Sequence, residues 1–319
     1  MFRFNHMARG SWAWCYVSAV IVAVSVVVAV FVLPISAQEV KQKAFGSPEK
    51  AMKALVEAVQ ADDVKGMMAI LGPEGEDILS SGDEVADKNT LEQFVKAYQE
   101  KVDFVKEKED RVSIIIGNDN WPFPIPTVKK GAGWVFDTKA GREEVLNRRI
   151  GRNELNAIQV CLAYVEAQRE YASTDRERDG IIQYAQKVWS DPYRRNGLYW
   201  EAAEGEPPSP LGPLAAEAAA EGYKRTGDKP KPFHGYYYKI LRGQGPNAPG
   251  GAFNYVINGH MVAGFALVAW PAEYGVSGVM TLIVNQNGTV YEKDLGPKTE
   301  ERVKGMTRYN PDRTWKRAQ

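Results

Sequence analysis

The sequence predicts an α+β protein: helices closing on one antiparallel sheet, then a long helix packed on a second antiparallel sheet. Three observations carry this. Apolar residues recur at helical spacing from Met52 to Val102, then alternate as in a strand from Arg111 onward. A second helical stretch, 140–173, precedes a last third written mostly in strand periods. Asn258-Gly259 and Asn287-Gly288 punctuate that third, and Asn-Gly between apolar runs is the strongest short hairpin signal.

The first helix opens at Ser47-Pro48-Glu49. Ser is an N-cap, Pro fits the first helical position and Glu meets the positive end of the dipole. Met52, Leu55, Val56 and Val59 form its apolar face. Asp62-Asp63 interrupts, a short helix covers Val64–Leu71, and Gly72-Pro73 stops it. Thr90-Leu91-Glu92-Gln93 has the order of a capping box and predicts a helix bearing Phe94, Ala97, Tyr98 and Val102. RVSIIIG at 111–117 is a strand. WPFPIPTV at 121–128 holds three prolines, each lacking an N–H, which confines it to an edge or an irregular extended segment. WVFD at 134–137 follows a Lys-Lys-Gly-Ala-Gly turn.

Helices are then predicted over Ala140–Ile150 and, capped by Asn153, over Asn153–Ser173, with Leu155, Ile158, Leu162, Val165 and Tyr171 near one face. A proline-rich connection, EGEPPSPLGPL at 204–214, leads to an alanine-rich helix ending near Tyr223. Strands are predicted over Gly235–Leu241, Ala252–Ile257, Met261–Trp270, Val279–Asn285 and Thr289–Lys293. After Gly296 the chain is charged and turn-rich and reads as a loosely held tail. The expected division is a leader at 38–46, one α+β domain at 47–150, a second at 151–296 and a tail at 297–319.

Residues 1–37 carry a different signal. Arg3 and Arg9, with no acidic residue, precede a long apolar run, and Leu33-Pro34-Ile35-Ser36-Ala37 offers a small-residue exit. That order is a secretory signal peptide cut after Ala37, and it predicts export to the periplasm or the outside. The alternative is an uncleaved anchor in the inner membrane, since Tyr16–Leu33 is 18 residues and just long enough to span a bilayer. Cleavage leaves 282 residues, too many for one small core and suited to two domains. Basic and acidic residues nearly balance in that remainder. It therefore lacks both the basic footprint of nucleic-acid binding and a polybasic patch for acidic lipid. Cys161 is then the sole cysteine, so no internal disulfide staples the fold. Among Ile158, Leu162 and Val165 it reads as a buried, inert thiol.

Several long segments carry a family resemblance: NDNWPFPIP (118–126), GRNELNAIQVCLAYVEAQREYAS (151–173), GLYWEAAEGEPPSPLGPL (197–214), FHGYYYKIL (233–241) and GHMVAGFALVAWPAEYGVSGVMTLIVNQNGTVYEKDLG (259–296). From Phe45 to its end the chain is similar to the bacterial exported domain-of-unknown-function 2950 family, to which no activity is attached. By element order and the SPEKAMKALVEAVQADD and GWVFD stretches, residues 45–150 resemble the nuclear-transport-factor-2-like cone, in which helices close one side of a curved sheet. Residues 153–294 resemble the globular part of type IV pilins and pseudopilins. The resemblance implies a pilin-like fold used outside a pilus, because Glu154, Glu166, Arg169 and Glu170 deprive the long helix of the apolar surface that packs a fibre core.

Candidate chemistry is sparse. Asp175, Glu177 and Asp179 stand at positions 1, 3 and 5 of a calcium-loop order, with Gly180 at 6 and the carbonyl of Ile181 at 7. Arg176 and Arg178 oppose a cation, and Gln186 stands at position 12, where a bidentate carboxylate is needed. The stretch reads either as a weak calcium loop or as a solvated acid/base turn. Calcium is the single cofactor the sequence suggests. His234 and His260 lack metal-ligand spacing and read as turn or strand-end residues; converging, they would make an acid/base or metal pair. Glu201, Glu204 and Glu206 beside Tyr199-Trp200 read as a solvated loop or as a site that binds or hydrolyses sugar. Gly-x-Ser-x-Gly, Walker and dinucleotide motifs do not occur. Trp121 and Phe123, on a proline-ordered strand, and Tyr236 with Tyr238, on one strand face, are candidate partner surfaces. Buried, the tyrosines would be ordinary sheet core. The expectation is a non-catalytic envelope protein that binds a partner or small ligand. The rival is an envelope hydrolase acting on sugars or peptides.

Overall fold

The computed structural model describes residues 42–224 and 230–318. The expected signal segment and cut site lie outside them. Helix α1 (Pro48–Gln60) begins where Ser47 accepts a bond from the Lys50 amide, and it buries Ala51, Met52, Leu55 and Val56. Asp63 caps α2 (Val64–Leu71) in the same way through the Gly66 amide. A short α3 (Glu76–Leu79) follows. Helix α4 (Glu84–Glu100) starts about two turns before the expected capping box. Asp83 caps it through the Ala86 amide, and the Thr90 hydroxyl instead donates back to the Ala86 carbonyl. Val102, expected on that helix, opens a strand.

Four strands form the first sheet, in the order β1 (Val102–Lys108), β2 (Arg111–Ile116), β3 (Trp121–Lys130), β4 (Gly133–Phe136), all antiparallel. Strand β1 was not expected: most of its residues are charged and exposed, as an edge strand requires. The proline-bearing β3, expected at an edge or as an irregular extended segment, lies inside the sheet but is irregular. The reason is local. Strand β4 pairs only with Thr127–Lys130, so Pro122 and Phe123 have a ladder partner on the β2 side alone, while Pro124 and Ile125 fall in the register shift and the Pro126 carbonyl accepts from the Asp137 amide at 2.8 Å. The ladder shifts register between Val112 and Ile114 to accommodate them.

Two predicted helices are one. Helix α5 runs unbroken from Thr138 to Tyr171, about 50 Å, capped by Asp137 through the Ala140 amide. Asn153, expected as a second cap, is buried, and its Nδ2 donates to the Ser277 carbonyl at 2.9 Å. Gly151 faces open space. Its helix penalty of ~1 kcal/mol is too small to end a helix packed along both halves.

Helix α6 (Gly212–Ala220) leads to the second sheet. Strand β5 (Tyr236–Leu241) is followed by two small hairpins, β6 (Gly243–Gln244) with β7 (Phe253–Asn254) and β8 (Val256–Ile257) with β9 (His260–Met261). The last turns on Asn258-Gly259, both at positive φ, as the Asn-Gly signal requires. Strands β10 (Ala266–Pro271), β11 (Met280–Asn285) and β12 (Tyr291–Asp294) complete the order β13-β12-β11-β10-β5, with β13 at Lys316–Arg317. The expected strand 261–270 breaks at Gly264, whose φ of +147° and proximity to the Tyr255 ring exclude a side chain.

Ala266–Ala269 are buried without alternation, which demands cover on both faces of β10, and α5 and α7 (Thr299–Lys304) both pack against it. The charged C-terminal stretch is therefore not a loose tail. Val303 and Tyr309 are fully buried, and β13 closes the sheet. Hydrophobic residues gather in two clusters, one around α1, α2 and the first sheet, the other between α5 and the second sheet. Helix α5 serves both. Asp83 adds a second junction: its Oδ2 accepts from the Tyr223 hydroxyl at 2.9 Å and the Gly235 amide at 2.8 Å. No helix among the described residues is long and apolar enough to cross a membrane.

Candidate functional site

A cavity of ≈ 380 Å³ opens between α4, β3 and the first half of α5. Leu55, Leu71, Ile116 and Ile125 supply buried apolar lining from four different elements. Leu91, Phe94 and Ala97 line it from α4, where three-residue spacing sets them on one face. Val145 lines it from α5. Phe123 stands among them, its ring 5.3 Å from Phe94 and 6.1 Å from Phe136. Mostly apolar walls with a few placed polar groups are the usual chemistry of a small-molecule site.

The polar groups come chiefly from one stretch of α5. Arg148, Arg149 and Arg152 share a face through their i, i+3 and i+4 spacing, and all three line the cavity. Arg148 is held on three sides. Its Nε donates to Glu144 at 2.6 Å, its Nη1 to the Pro122 carbonyl at 3.1 Å, and its guanidinium lies 4.9 Å over the Trp121 ring. Arg149 is buried and donates to the carbonyls of Asp77, at 2.6 Å, and Ile78. Burial pulls its pKa below the usual arginine value, and the Asp87 carboxylate opposes that shift. Asp87 itself is shifted upward by burial, against two bonds from Ser81. Arg152 is exposed and makes no hydrogen bond or ion pair among the described residues. Asp119 and Glu100 also line the cavity, so the arginines exceed the acids by one.

The structure brings together only part of what the sequence singled out. Trp121 and Phe123 both line the cavity, Trp121 being 41 % exposed. Tyr236 is not a surface residue. It is fully buried, with its hydroxyl donating to the Met280 carbonyl at 2.9 Å. Tyr238 is half-buried and donates to the Phe233 carbonyl at 3.3 Å. Both belong to β5 of the second sheet, whereas Trp121 lies on β3 of the first.

In the acidic loop, Asp175 accepts from the amides of Arg178, Asp179 and Gly180, which ties the turn and holds its pKa below the usual carboxylate value. Asp179 accepts from the Ile181 amide, and Glu177 and Asp179 both accept from Gln183. Gln186 is engaged elsewhere, donating to the Gly259 carbonyl at 2.6 Å and accepting from Arg242 at 2.9 Å. No group of three or more His, Cys, Asp or Glu placed to hold a metal occurs among the described residues. The histidines sit in separate clusters: His234 with Glu221 and Asn156, His260 with Asp179 and Gln183. Glu201, Glu204 and Glu206 are all exposed, with Glu206 paired to Arg195 at 2.8 Å.

Sequence reasoning missed the three arginines. Their signal was present in NRRIGR at 147–152, but only an unbroken helix places them on one face. A family model described as "Protein of unknown function (DUF2950)" matches residues 42–318. No curated protein and no solved structure matches the chain.

Proposed function

The chain belongs to the domain-of-unknown-function 2950 family, and we propose that it is a non-catalytic module binding a small, largely apolar molecule that carries one anionic group. The observation that carries this reading is the cavity of ≈ 380 Å³ with an apolar lining and an arginine, Arg152, that makes no hydrogen bond or ion pair among the described residues, at the end of a series of three. An acyl or aromatic body fits the Leu, Ile and Phe lining, and a carboxylate suits the planar guanidinium of Arg152. Arg148 is fixed by Glu144, Pro122 and Trp121 and so shapes the site without moving. The cone resemblance of residues 45–150, where helices close a curved sheet, supports the same reading. The cationic start, apolar run and small-residue exit of residues 1–37 support action in the cell envelope after export, and the pilin-like resemblance of the second half adds no catalytic group.

The test is a titration series with decanoate, decanol and decylamine, read by Trp121 fluorescence. Decanoate is expected to bind saturably and at least tenfold tighter than decylamine, which is ~1.4 kcal/mol. Arg152→Glu removes that preference, and Val145→Trp, which fills the cavity, abolishes binding. Bound decanoate is recovered chemically unchanged. Absence of saturable binding by all three, or equal affinity of the acid and the amine, refutes the reading.

A further inference from the structure

A second hollow, ≈ 620 Å³, is lined wholly by residues between Trp189 and Glu206 and shares none with the first. Its segment has no helix or strand, yet it is fixed in place. The Ser190 amide donates to the Tyr199 carbonyl and the Tyr199 amide to the Val188 carbonyl, both at 2.8 Å. The Tyr171 hydroxyl, from α5, donates to the Arg195 carbonyl at 2.8 Å. Gly197 lies so close to Trp189 that a Cβ would meet its backbone at 2.6 Å.

This frame presents aromatic rings. Trp189, 41 % exposed, meets Tyr199 edge to face at 4.8 Å. Tyr193 is wholly exposed and has a φ of +63°, uncommon for a bulky residue. Trp200 is buried beside the guanidinium groups of Arg176 and Arg195 and forms part of the hollow's wall. Two charged side chains of the lining, Arg194 and Glu201, make no hydrogen bond or ion pair among the described residues.

We propose that this hollow binds a neutral oligosaccharide. Pyranose rings offer C–H faces that lie against aromatic rings, and their hydroxyls both donate and accept. Glu201 accepts such a bond and Arg194 donates one. Asp191, Glu201 and Glu206 nearly balance Arg194 and Arg195, so the lining provides no strong field to select a charged ligand. The hollow lies within the ~300–1,000 Å³ usual for small-molecule clefts. This inference does not rest on the cavity ligand proposed above.

The test is isothermal titration of the purified protein with cellotetraose, maltotetraose and the tetramer of N-acetylglucosamine. At least one is expected to bind saturably. Tyr193→Ala and Glu201→Ala, both at exposed positions, each weaken it tenfold or more, while Trp121→Ala leaves it unchanged. No saturable binding of any of the three up to about 10 mM overturns the proposal. So does equal binding by the Tyr193 and Glu201 variants, or displacement of the sugar by decanoate, which would place it in the other cavity.

Discussion

Arg149 is an unusual donor. Its buried guanidinium binds no carboxylate and instead closes the two carbonyls of Asp77 and Ile78 at the end of α3. Replacing it with Leu leaves those acceptors unsatisfied, at ~2–3 kcal/mol of stability. Urea unfolding is expected to show that loss with an unchanged slope. Its role was hidden in the sequence, because a helical arginine reads as solvated until its neighbours are known. Cys161 shows the opposite case. Its apolar neighbours marked it as inert, and it is fully buried, with its pKa pushed up to about 12. Folded protein is therefore expected to resist iodoacetamide at pH 8 and to react once unfolded. The same shift sets a pH dependence. Above the ordinary value of 9 the unfolded chain has released a proton that the folded chain still holds. Stability then falls as pH rises from 9 toward 12, by at most about 1.4 kcal/mol per pH unit from this group. Tyr255, also raised to about 12 by burial, steepens the fall from its ordinary 10. Denaturation at stepped pH checks this, and Cys161→Ala is expected to flatten the slope even if it lowers the plateau.

Elements were legible where a local signal decides them. Ser47-Pro48 and Asn258-Gly259 set their helix start and hairpin whatever lies around them. Strand β1, the inner place of β3 and the continuity of α5 depend on partners far away in sequence, so no short window contains them. The packing of α5 on β3 turns on Gly141. A Cβ there would stand 2.7 Å from the Pro124 carbonyl and 2.8 Å from the Ile125 Cα, both backbone atoms that do not yield. Gly141→Ala is expected to cost ~1–3 kcal/mol and to weaken ligand binding, since it pushes the arginine face away from the cavity floor. Gly151→Ala, further along the same helix and facing open space, is expected to do the reverse and gain ~0.5–1 kcal/mol. Thermal unfolding of the two variants side by side separates helix propensity from packing.

Across the whole molecule, the two hydrophobic clusters are joined by α5 and by Asp83, and these junctions differ in kind. The helix contributes Val145 to one cluster and Ala157, Cys161 and Tyr164 to the other through an unbroken backbone ladder. Asp83 contributes two side-chain bonds, to Tyr223 and Gly235. An unbroken ladder transmits the ordering of one half to the next, whereas side-chain bonds only add stability to a contact. Wild type is therefore expected to melt in one transition, with 5-fluorotryptophan signals of Trp134, in the first sheet, and Trp270, in the second, lost together. Gly151→Pro removes one ladder bond and clashes with the carbonyl of Asn147, at ~3 kcal/mol or more. It is expected to split the two signals into separate midpoints. Asp83→Ala is expected to lower both midpoints without separating them. If the Asp83 variant splits the signals and the Gly151 variant does not, the coupling runs through the side-chain junction, and α5 is merely a part that each cluster packs on independently.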